Sequence, residues 1–572
     1  MRRTLFGQGL IGFGLCLAAA QVAAAGPSQA AIASAHPLAT AAGQEMLEAG
    51  GNAFDAAIAI AAALAVVEPS GSGLGGGGFF LLHDAKDGRK TFLDARETAP
   101  GEIRQALYLN EEGKLQQDRL RAGPLAAGIP GLPAGLVHLA RTRASLPLPR
   151  LLEPAIRHAR EGFEVDGPLA DRISRRAADL RGFPASQAVF LNAGEPLPAG
   201  AMLVQADLAS TLQKLAAFGF SGFYEGPVAE EMVRSVRAAG GVWSEEDLRQ
   251  YRVIERRPLI LSYGDWQIVS APPPSSGGLV LGEIFHMLEL LDYAQQKDPG
   301  LRAHILVEAM RRAYFDRARY MGDPDYVPVP SRELLARQHA EDWLQSYSPG
   351  AATPSADLAP EPIASVGMGV DTTHFSVIDT AGNRVAATLS INYPLGAAFV
   401  AGRTGVLLNN EMDDFVIQPG VPNGYGLVGG EANFVEPGKR MLSSMTPTFL
   451  EGAERTAILG TPGGSRIITM VLHGLLKLME GGSAAEAVAL PRFHHQYLPD
   501  VIQHEAEALS PAQRKALQKR GHSLQELPYR YGNMQVVLWE HGKNQLSAAA
   551  DPRGVGSASV FEPTITKELA LP

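Results

Sequence analysis

The sequence predicts an α+β fold in which helices cover antiparallel sheets, and two observations lead to it. Short apolar runs occur in pairs joined by turn-like residues, as at 79–83 with 91–94 and again at 372–379 with 384–390. Such pairs form antiparallel hairpins. Helical periodicity dominates much of the remaining chain, and hairpin sheets with enough helices to cover them favour a layered sandwich over a doubly wound parallel sheet.

The elements before residue 364 follow from local patterns. Residues 38–67 read as helix interrupted by Gly50-Gly51, with Asn52 as the N-cap of the second piece. A glycine-rich loop at 70–78 precedes the first hairpin, and helical periodicity runs from 132 to 290. Residues 346–363 are rich in Pro, Ala and Ser without periodicity, which predicts an exposed connector.

After the connector the sequence pattern changes from mainly helical to mainly strand-forming. Strands are predicted at 372–379, 384–390 and 456–459, followed by a glycine-rich loop at 460–465 and an apolar helix at 466–479. Two further strands, 534–539 and 557–561, end the pattern.

The composition describes a folded, acidic protein. Among 572 residues, 46% are hydrophobic and 19% are charged, which excludes wholesale disorder. The net charge is −10 and no basic run occurs. A nucleic-acid partner is therefore not expected.

The N-terminal residues predict export. Arg2 and Arg3 precede an apolar stretch at 5–20, and small residues at 23–25 provide a cleavage site, so residues 1–25 read as a secretory signal peptide. A membrane anchor is the alternative for this segment. The longest later apolar run, 56–67, is too short to span a bilayer.

Cysteine usage agrees with export to a bacterial periplasm or to the exterior. The one cysteine, Cys16, lies within the predicted signal peptide. The mature chain then contains no thiol, and we expect neither a disulfide nor a cysteine-based metal site.

Two features of the sequence resemble known binding motifs but lack the context that those motifs require. Gly71, Gly73 and Gly76 fit G-x-G-x-x-G, but the predicted order of helix, loop and strand is the reverse of a dinucleotide site. The loop instead suggests backbone that passes close to a ligand or another segment. The fourteen histidines contain no H-E-x-x-H, and His494-His495 is interpreted as structural. We expect no cofactor and no metal.

Three features point to chemistry when taken together. Thr372 and Thr373 follow Asp371 at the start of a strand, just after the irregular connector. Gly463-Gly464 lies between a strand and a helix N-terminus, where free N–H groups suit an oxyanion. Polar residues also occupy positions where apolar strand residues are expected. Together they could bind the carboxylate and the ammonium of an α-amino acid. They are Arg96, Asn392, Glu411, Asp414, Ser443 and Ser444.

At these positions the chain resembles the γ-glutamyltransferase (glutathione hydrolase) family of N-terminal-nucleophile hydrolases. The matching stretches occur in family order over nearly the whole mature chain: Gly50-Gly51-Asn52-Ala53, residues 93–100, 272–278, 371–376 and 408–415, Leu442-Ser443-Ser444-Met445, and residues 461–466 and 491–496.

The resemblance implies a four-layer αββα sandwich made as a precursor that cuts itself between Asp371 and Thr372. The products would be a large subunit, residues 26–371, and a small subunit, residues 372–572. Thr372 would be the nucleophile, with its own freed α-amine as the base. The group passed on would be γ-glutamyl, transferred to water or to an amino acid or peptide amine.

The resemblance also assigns the remaining site residues. Gly463 and Gly464 would donate N–H groups to the oxyanion. Ser390, where most members have a threonine, would keep a supporting hydroxyl. The substrate α-carboxylate would be bound by Arg96, Ser443 and Ser444, and its α-ammonium by Asn392, Glu411 and Asp414.

Two regions set this chain apart. Residues 392–396 depart from the more usual family sequence near the acceptor side. Residues 419–440 resemble a lid loop that some members have and others lack, with Tyr425 as its gate; an ordinary surface loop is the alternative.

Two other functions compete with this interpretation. A cephalosporin acylase shares the fold and the threonine nucleophile but cleaves a glutaryl amide, which has no ammonium for Asp414. An exported binding protein without catalysis would be expected to lose Thr372 or the glycine pair, and both are present.

Overall fold

The computed structural model describes residues 26–358 and 372–564. The predicted signal peptide, Asp371 and the last part of the predicted connector lie outside these residues. None of the helices within the described ranges has the length and apolar character that a membrane crossing requires.

In the part of the chain that the structure describes, thirteen strands form two antiparallel sheets. Those before the gap are β1 (Ala30–Ser34), β2 (Gly77–His83), β3 (Lys90–Ala95), β4 (Ile254–Arg256), β5 (Leu259–Tyr263) and β6 (Trp266–Ser270). Those after it are β7 (Thr373–Ile378), β8 (Arg384–Ser390), β9 (Thr448–Glu451), β10 (Arg455–Gly460), β11 (Gln535–Glu540), β12 (Gln545–Ala550) and β13 (Ser557–Phe561). The first sheet has the order β13-β1-β7-β8-β2-β3-β4 and the second β12-β11-β10-β9-β6-β5.

Eighteen α-helices accompany these strands within the described ranges. The first nine are α1 (Pro37–Glu48), α2 (Ala53–Val67), α3 (Asp118–Arg121), α4 (Leu132–Thr142), α5 (Leu148–Glu161), α6 (Gly167–Leu180), α7 (Pro184–Phe190), α8 (Ala206–Phe218) and α9 (Ser221–Tyr224). The others are α10 (Gly226–Ala238), α11 (Glu245–Gln250), α12 (Gly277–Leu290), α13 (Pro299–Tyr320), α14 (Ser331–Leu334), α15 (Arg337–Leu344), α16 (Ile467–Met479), α17 (Ala484–Ala489) and α18 (Pro511–Lys519).

Short strands form three minor sheets. Phe493–His494, Ile502–His504 and Leu524–Glu526 make one of three strands, and two small pairs join Phe163–Glu164 with Met202–Leu203 and Leu191–Asn192 with Glu195–Pro196.

The alternation of β2 shows how the layers are arranged. Successive strand residues point to opposite faces, and Phe80 and Leu82 enter a core with α1, α2 and α4 to α10. Phe79 and Leu81 enter a second core shared with the other sheet and with α12, α13 and α16. Helices therefore cover the outer face of each sheet, which confirms the predicted four-layer αββα sandwich.

Helix α2 is central to the first core because all its residues are buried. Asn52 caps it as predicted: its side chain accepts from the N–H groups of Phe54 and Asp55, and the Asp55 carboxylate accepts from Asn52 N. Asp55 also accepts from the backbone of Ser145 and Leu146, and so ties α2 to the loop before α5.

Two sequence predictions need correction. The region 132–290 is not helical throughout, since β4, β5 and β6 occupy 254–270 and complete the edges of both sheets. These strands are short, and the one local signal for them is the two-residue turn Gly264-Asp265, across which Tyr263 of β5 pairs with Trp266 of β6. The connector is also not simply exposed, because Thr353 and Ser355 are buried and Ser355 donates to Tyr497 O.

The Asp55 junction should be a large contributor to stability. Asp55→Ala leaves several backbone N–H groups without their acceptor, and each such buried group costs about 1–3 kcal/mol. We expect the free energy of unfolding from urea titration to fall by at least about 2 kcal/mol. Asp87→Ala, in the exposed turn between β2 and β3, should change it by less than about 0.5 kcal/mol; equal losses in the two variants would contradict this role.

Candidate active site

The candidate site lies at one end of the sandwich, where strands of both sheets stop. In the first sheet Thr373 pairs with Leu389, and Gly78 pairs with both Leu389 and Ala95. The residues beyond these pairs, Thr372, Ser390 and Arg96, therefore meet at the same end. In the second sheet Thr448 pairs with Leu459, so the segments 443–447 and 461–464 approach from the opposite layer.

Thr372 stands directly beside Ser390. Their hydroxyl oxygens are 3.4 Å apart, and Ser390 Oγ accepts a 2.8 Å hydrogen bond from Asn392 N. Both side chains are nearly buried. The hydroxyl of Ser390 is therefore in place to support that of Thr372, as the resemblance requires.

A small cavity opens at Thr372 and brings together almost all the predicted site residues. Its lining is Arg96, Thr372, Ser390, Asn392, Glu411, Asp414, Tyr425, Leu427, Ser443, Ser444, Met445, Gly464, Ser465 and Ile467. Gly463 precedes the lining residue Gly464. Residues as far apart in sequence as Arg96 and Ser465 therefore form one compartment.

Arg96 is the cation of this compartment and is paired with two acids. Its terminal nitrogens lie 2.6 Å from Glu411 Oε2 and 2.6 Å from Asp414 Oδ2. Only 1% of its side chain is exposed. Burial alone would lower the pKa of Arg96, but Glu411, Glu97 and Asp414 raise it above its usual value, so the guanidinium stays charged.

Burial affects the acids around Arg96 unequally. Burial raises the pKa of Glu411 to about 7 although Arg96 opposes this, and burial with the nearby Glu411 raises the pKa of Glu97 well above its usual value. Asp414 is the most accessible of the three, with 14% of its side chain exposed. The site thus places a charged Arg96 among acids that differ in exposure.

Hydroxyl groups line the side of the cavity that belongs to the second sheet. Ser443 Oγ accepts from Met445 N, and Ser444 Oγ accepts a 3.1 Å bond from Arg317 on α13. Arg317 also donates to Ser276 Oγ, which in turn donates to Ser443 O. A buried arginine therefore fixes the segment that carries both serines.

Gly463 and Gly464 turn the chain from β10 into α16. Gly463 has φ 145° and Gly464 has φ 57°, both in the region that favours glycine. Within the described residues neither N–H is engaged in a backbone or side-chain hydrogen bond. A Cβ on Gly464 would also lie 2.3 Å from the Tyr425 ring. This close approach explains why glycine is needed there.

Tyr425 covers the cavity from the predicted lid. Its hydroxyl donates a 2.8 Å bond to Asn392 O, and Gln496 donates to Tyr425 O. The segment 419–440 is therefore bonded to the site around Tyr425, and the alternative of an ordinary surface loop is not favoured by these contacts.

The glycine loop at 70–78 passes against other chain segments, as one of its two interpretations foresaw. A Cβ on Gly75 would lie 2.0 Å from Leu407 O, and one on Gly76 2.2 Å from Ser390 O. A Cβ on Gly71 would be 3.2 Å from Thr372 O. The loop forms the backbone wall behind Thr372 and Ser390, a role that calls for small residues.

Sequence reasoning missed three contributors to this site. Arg317 lies in the interior of a long helix and shows no signal of its own. Glu97 and Ser276 belong to the stretches 93–100 and 272–278 that carried the family resemblance, which was the available sign for both. His494 was correctly interpreted as structural: it is buried and bonded to Thr469 and Gln496.

The lid contact can be tested by limited proteolysis. Tyr425→Phe removes the bond to Asn392 O, worth about 1 kcal/mol, so cleavage within 419–430 should become up to about fivefold faster. Tyr326→Phe removes a comparable bond to Pro437 O at the outer end of the segment and should leave that cleavage rate unchanged. Equal rates in all three proteins, read by mass spectrometry of the fragments, would contradict a lid held by Tyr425.

Comparison with known proteins agrees with this geometry. The glutathione hydrolase proenzyme of Escherichia coli (strain K12) is 40% identical over 531 residues, 92% of this chain and 91% of that protein. A cephalosporin acylase structure from Bacillus halodurans matches with TM-score 0.81 at 26% identity, covering 94% of this chain and 96% of the other. The γ-glutamyltranspeptidase structure from Helicobacter pylori matches 56% of this chain and 92% of its own, with TM-score 0.55 and 38% identity. The model of the γ-glutamyltranspeptidase family matches residues 39–561, and the chain belongs to that family.

Proposed function

We propose that this chain is a self-processing γ-glutamyltransferase and glutathione hydrolase. The observation that carries the proposal is the single cavity in which a threonine hydroxyl faces one arginine and two acids. A nucleophile placed beside groups of both charges suits a substrate whose amide bond lies a short chain away from an α-amino acid head group.

Processing begins with Thr372 as nucleophile on its own peptide bond. The hydroxyl oxygen attacks the carbonyl carbon of Asp371, the C–N bond breaks, and an ester forms between Asp371 and the Thr372 side chain. Water then hydrolyses the ester, which leaves a carboxylate on Asp371 and a free α-amine on Thr372. The proposed products are subunits 26–371 and 372–572.

The freed amine then serves as the base for substrate turnover. It accepts the hydroxyl proton as Thr372 Oγ1 attacks the γ-carbonyl carbon, and the N–H groups of Gly463 and Gly464 stabilise the oxyanion. The leaving amine departs with the proton, and a γ-glutamyl ester remains on Thr372. Water, or the amine of an amino acid or peptide, completes the reaction. Ser390 supports the nucleophile at 3.4 Å.

The head group is bound by charge. Asp414 and Glu411 accept from the substrate ammonium, and Glu411 Oε1 has no hydrogen-bond partner among the described residues. Arg96 lies beside Glu411 and Asp414 at 2.6 Å and beside Glu97 at 3.6 Å, and its forked guanidinium is the group that would bind the substrate carboxylate. Ser443 and Ser444 add hydroxyl donors, Asn392 closes the ammonium side, and Tyr425 gates the entrance.

Export is part of the proposal. The charge, apolar core and small-residue order of residues 1–25 supports a secreted or periplasmic protein of two subunits made from one precursor. The site needs only groups that the chain itself supplies, so we propose that the reaction proceeds without a cofactor.

A cephalosporin acylase is the alternative that the similar structure from Bacillus halodurans brings forward. A glutaryl group lacks the α-ammonium, so binding it would leave Asp414 and Glu411 desolvated without a cation from the substrate, at a cost of several kcal/mol. The pair of acids in the cavity favours γ-glutamyl substrates. Comparing the hydrolysis of a γ-glutamyl anilide with that of its glutaryl counterpart tests the choice directly, and a protein active on neither would be the non-catalytic binding protein.

Thr372→Ala tests self-processing. We expect a single uncut chain on a denaturing gel, since the attacking hydroxyl is gone, whereas the native protein gives two chains with the smaller beginning at Thr372. Thr373→Ala removes the neighbouring hydroxyl, and Thr372→Ser keeps a hydroxyl at the site, so both variants should still split. Cleavage before position 372 in Thr372→Ala would mean that another protease makes the cut.

Asp414→Asn tests ammonium recognition. The variant should lose most γ-glutamyl activity and gain relative activity on glutaryl amides, because the desolvated charge that rejects glutaryl is removed. The quantity to measure is the ratio of the two kcat/KM values, which should change by at least about tenfold. Asp413→Asn is the matched control, since Asp413 bonds Tyr393 and Gly424 N. A proportional loss on both substrates in Asp414→Asn would limit Asp414 to a structural role.

A further inference from the structure

Three buried or half-buried ligand-type side chains meet outside the cavity at Thr372. Glu283 on α12, Asp316 on α13 and His339 on α15 each offer one atom, and these atoms all lie within 4.8 Å of one another. None of the three lines the active-site cavity. The cluster therefore needs an explanation of its own.

Glu283 is the unusual member. Its side chain is only 1% exposed, and neither carboxyl oxygen has a hydrogen-bond partner among the described residues. A buried carboxyl without a donor is costly. One of its oxygens nevertheless lies within 4.8 Å of a carboxylate oxygen of Asp316 and of a ring nitrogen of His339.

The cluster also lacks a cation to balance it. Within the described ranges neither Glu283 nor Asp316 forms an ion pair with lysine or arginine, and His339 is the one cationic-type partner of Asp316, at 2.7 Å. The nearby arginines are used elsewhere: Arg312 pairs with Glu308, and Arg337 pairs with Glu341 and Glu289. Among the described residues, Glu283 therefore has no cationic partner and Asp316 has only the imidazole of His339.

We propose that Glu283, Asp316 and His339 bind a divalent transition-metal ion of the Zn²⁺ type. Two carboxylate oxygens and one imidazole nitrogen are ligands that Zn²⁺ accepts, and a tetrahedral ion takes three protein ligands and one water. His339 coordinates through Nε2 after losing its proton, and the ion replaces that proton as the partner of the Asp316 carboxylate. The half-exposed His339 provides the path of entry.

The surroundings suit such an ion. Trp343 Nε1 donates a 2.6 Å bond to Asp316 Oδ2, which orients that ligand as outer partners of metal ligands do. The ligands come from three helices, and α12 packs on both α13 and α15. The ion would join these helices on the outer face of the second sheet and act as a structural staple.

A second group of similar composition does not carry the same argument. His304, Glu308 and His522 also lie within 4.8 Å of one another, but Glu308 pairs with Arg311 and Arg312. His304 and His522 bond each other at 2.8 Å. Its acid already has cations, so a metal would have to displace two arginines.

The test measures Zn²⁺ binding to the processed full-length protein after chelator treatment, by equilibrium dialysis with elemental analysis and by thermal unfolding. The native protein should bind one more Zn²⁺ per chain than Glu283→Gln, or bind it at least about tenfold more tightly. Its Tm should rise with Zn²⁺, and the rise should be lost in the variant.

Two further variants make the result decisive. His339→Gln removes the half-exposed ligand with little disturbance of the core and should behave as Glu283→Gln does. His138→Gln removes a surface histidine that pairs with one carboxylate, Glu255, and should keep the native Zn²⁺ count and Tm shift. The proposal is overturned if the native protein, Glu283→Gln and His339→Gln bind the same amount of Zn²⁺ with the same affinity. Glu283 would then be a carboxyl that shares a proton with Asp316.

Discussion

The antiparallel pairing of β7 with β8 is the constraint on which the site depends. Thr372 immediately precedes one strand and Ser390 ends its partner, so the register that pairs Thr373 with Leu389 also places their hydroxyls 3.4 Å apart. A slip of one residue would turn Phe375 and Val377 away from the helical core and would move Thr372 from Ser390 at the same time. The burial of the sheet therefore determines the position of Thr372, the proposed nucleophile.

The second sheet supplies what the first cannot. β9 begins and β10 ends at the same end of the sandwich, and the loops beyond them carry the serines and the glycine pair. Packing two sheets face to face thus brings the proposed nucleophile from one layer to the proposed oxyanion donors from the other. The lid contact of Tyr425 with Asn392 closes this space from outside, and the ring fits there because Gly464 has no side chain.

Buried charge is the basis of the proposed substrate selectivity, and it also makes the folded structure around the cavity sensitive to substitution. Arg96 is enclosed and holds Glu411 and Asp414. Replacing it by alanine would leave buried acids without their cation, so the modest effect on folding that an open cleft would allow is not expected here. The cluster of Glu283, Asp316 and His339 presents the converse situation, in which buried acids lack an arginine, and this contrast within one protein motivates the metal proposal.

The sequence alone determined the fold class and most candidate site residues, because hairpin and helix patterns are local and the family motifs lie at fixed positions along the chain. Local patterns also predicted the Asn52 cap and the strands that became β7, β8 and β10. They did not separate β4, β5 and β6 from the surrounding helices, because β4 pairs with β3 and β6 with β9, both distant in sequence, and the one local signal is the two-residue turn between β5 and β6. No spacing in the sequence predicts the pairing of Arg96 with Glu411 and Asp414, the hydrogen bond from Arg317 to Ser444, or the cluster of Glu283, Asp316 and His339 on three helices. Only tertiary structure decided them, because each depends on how deeply packing removes its charges from water.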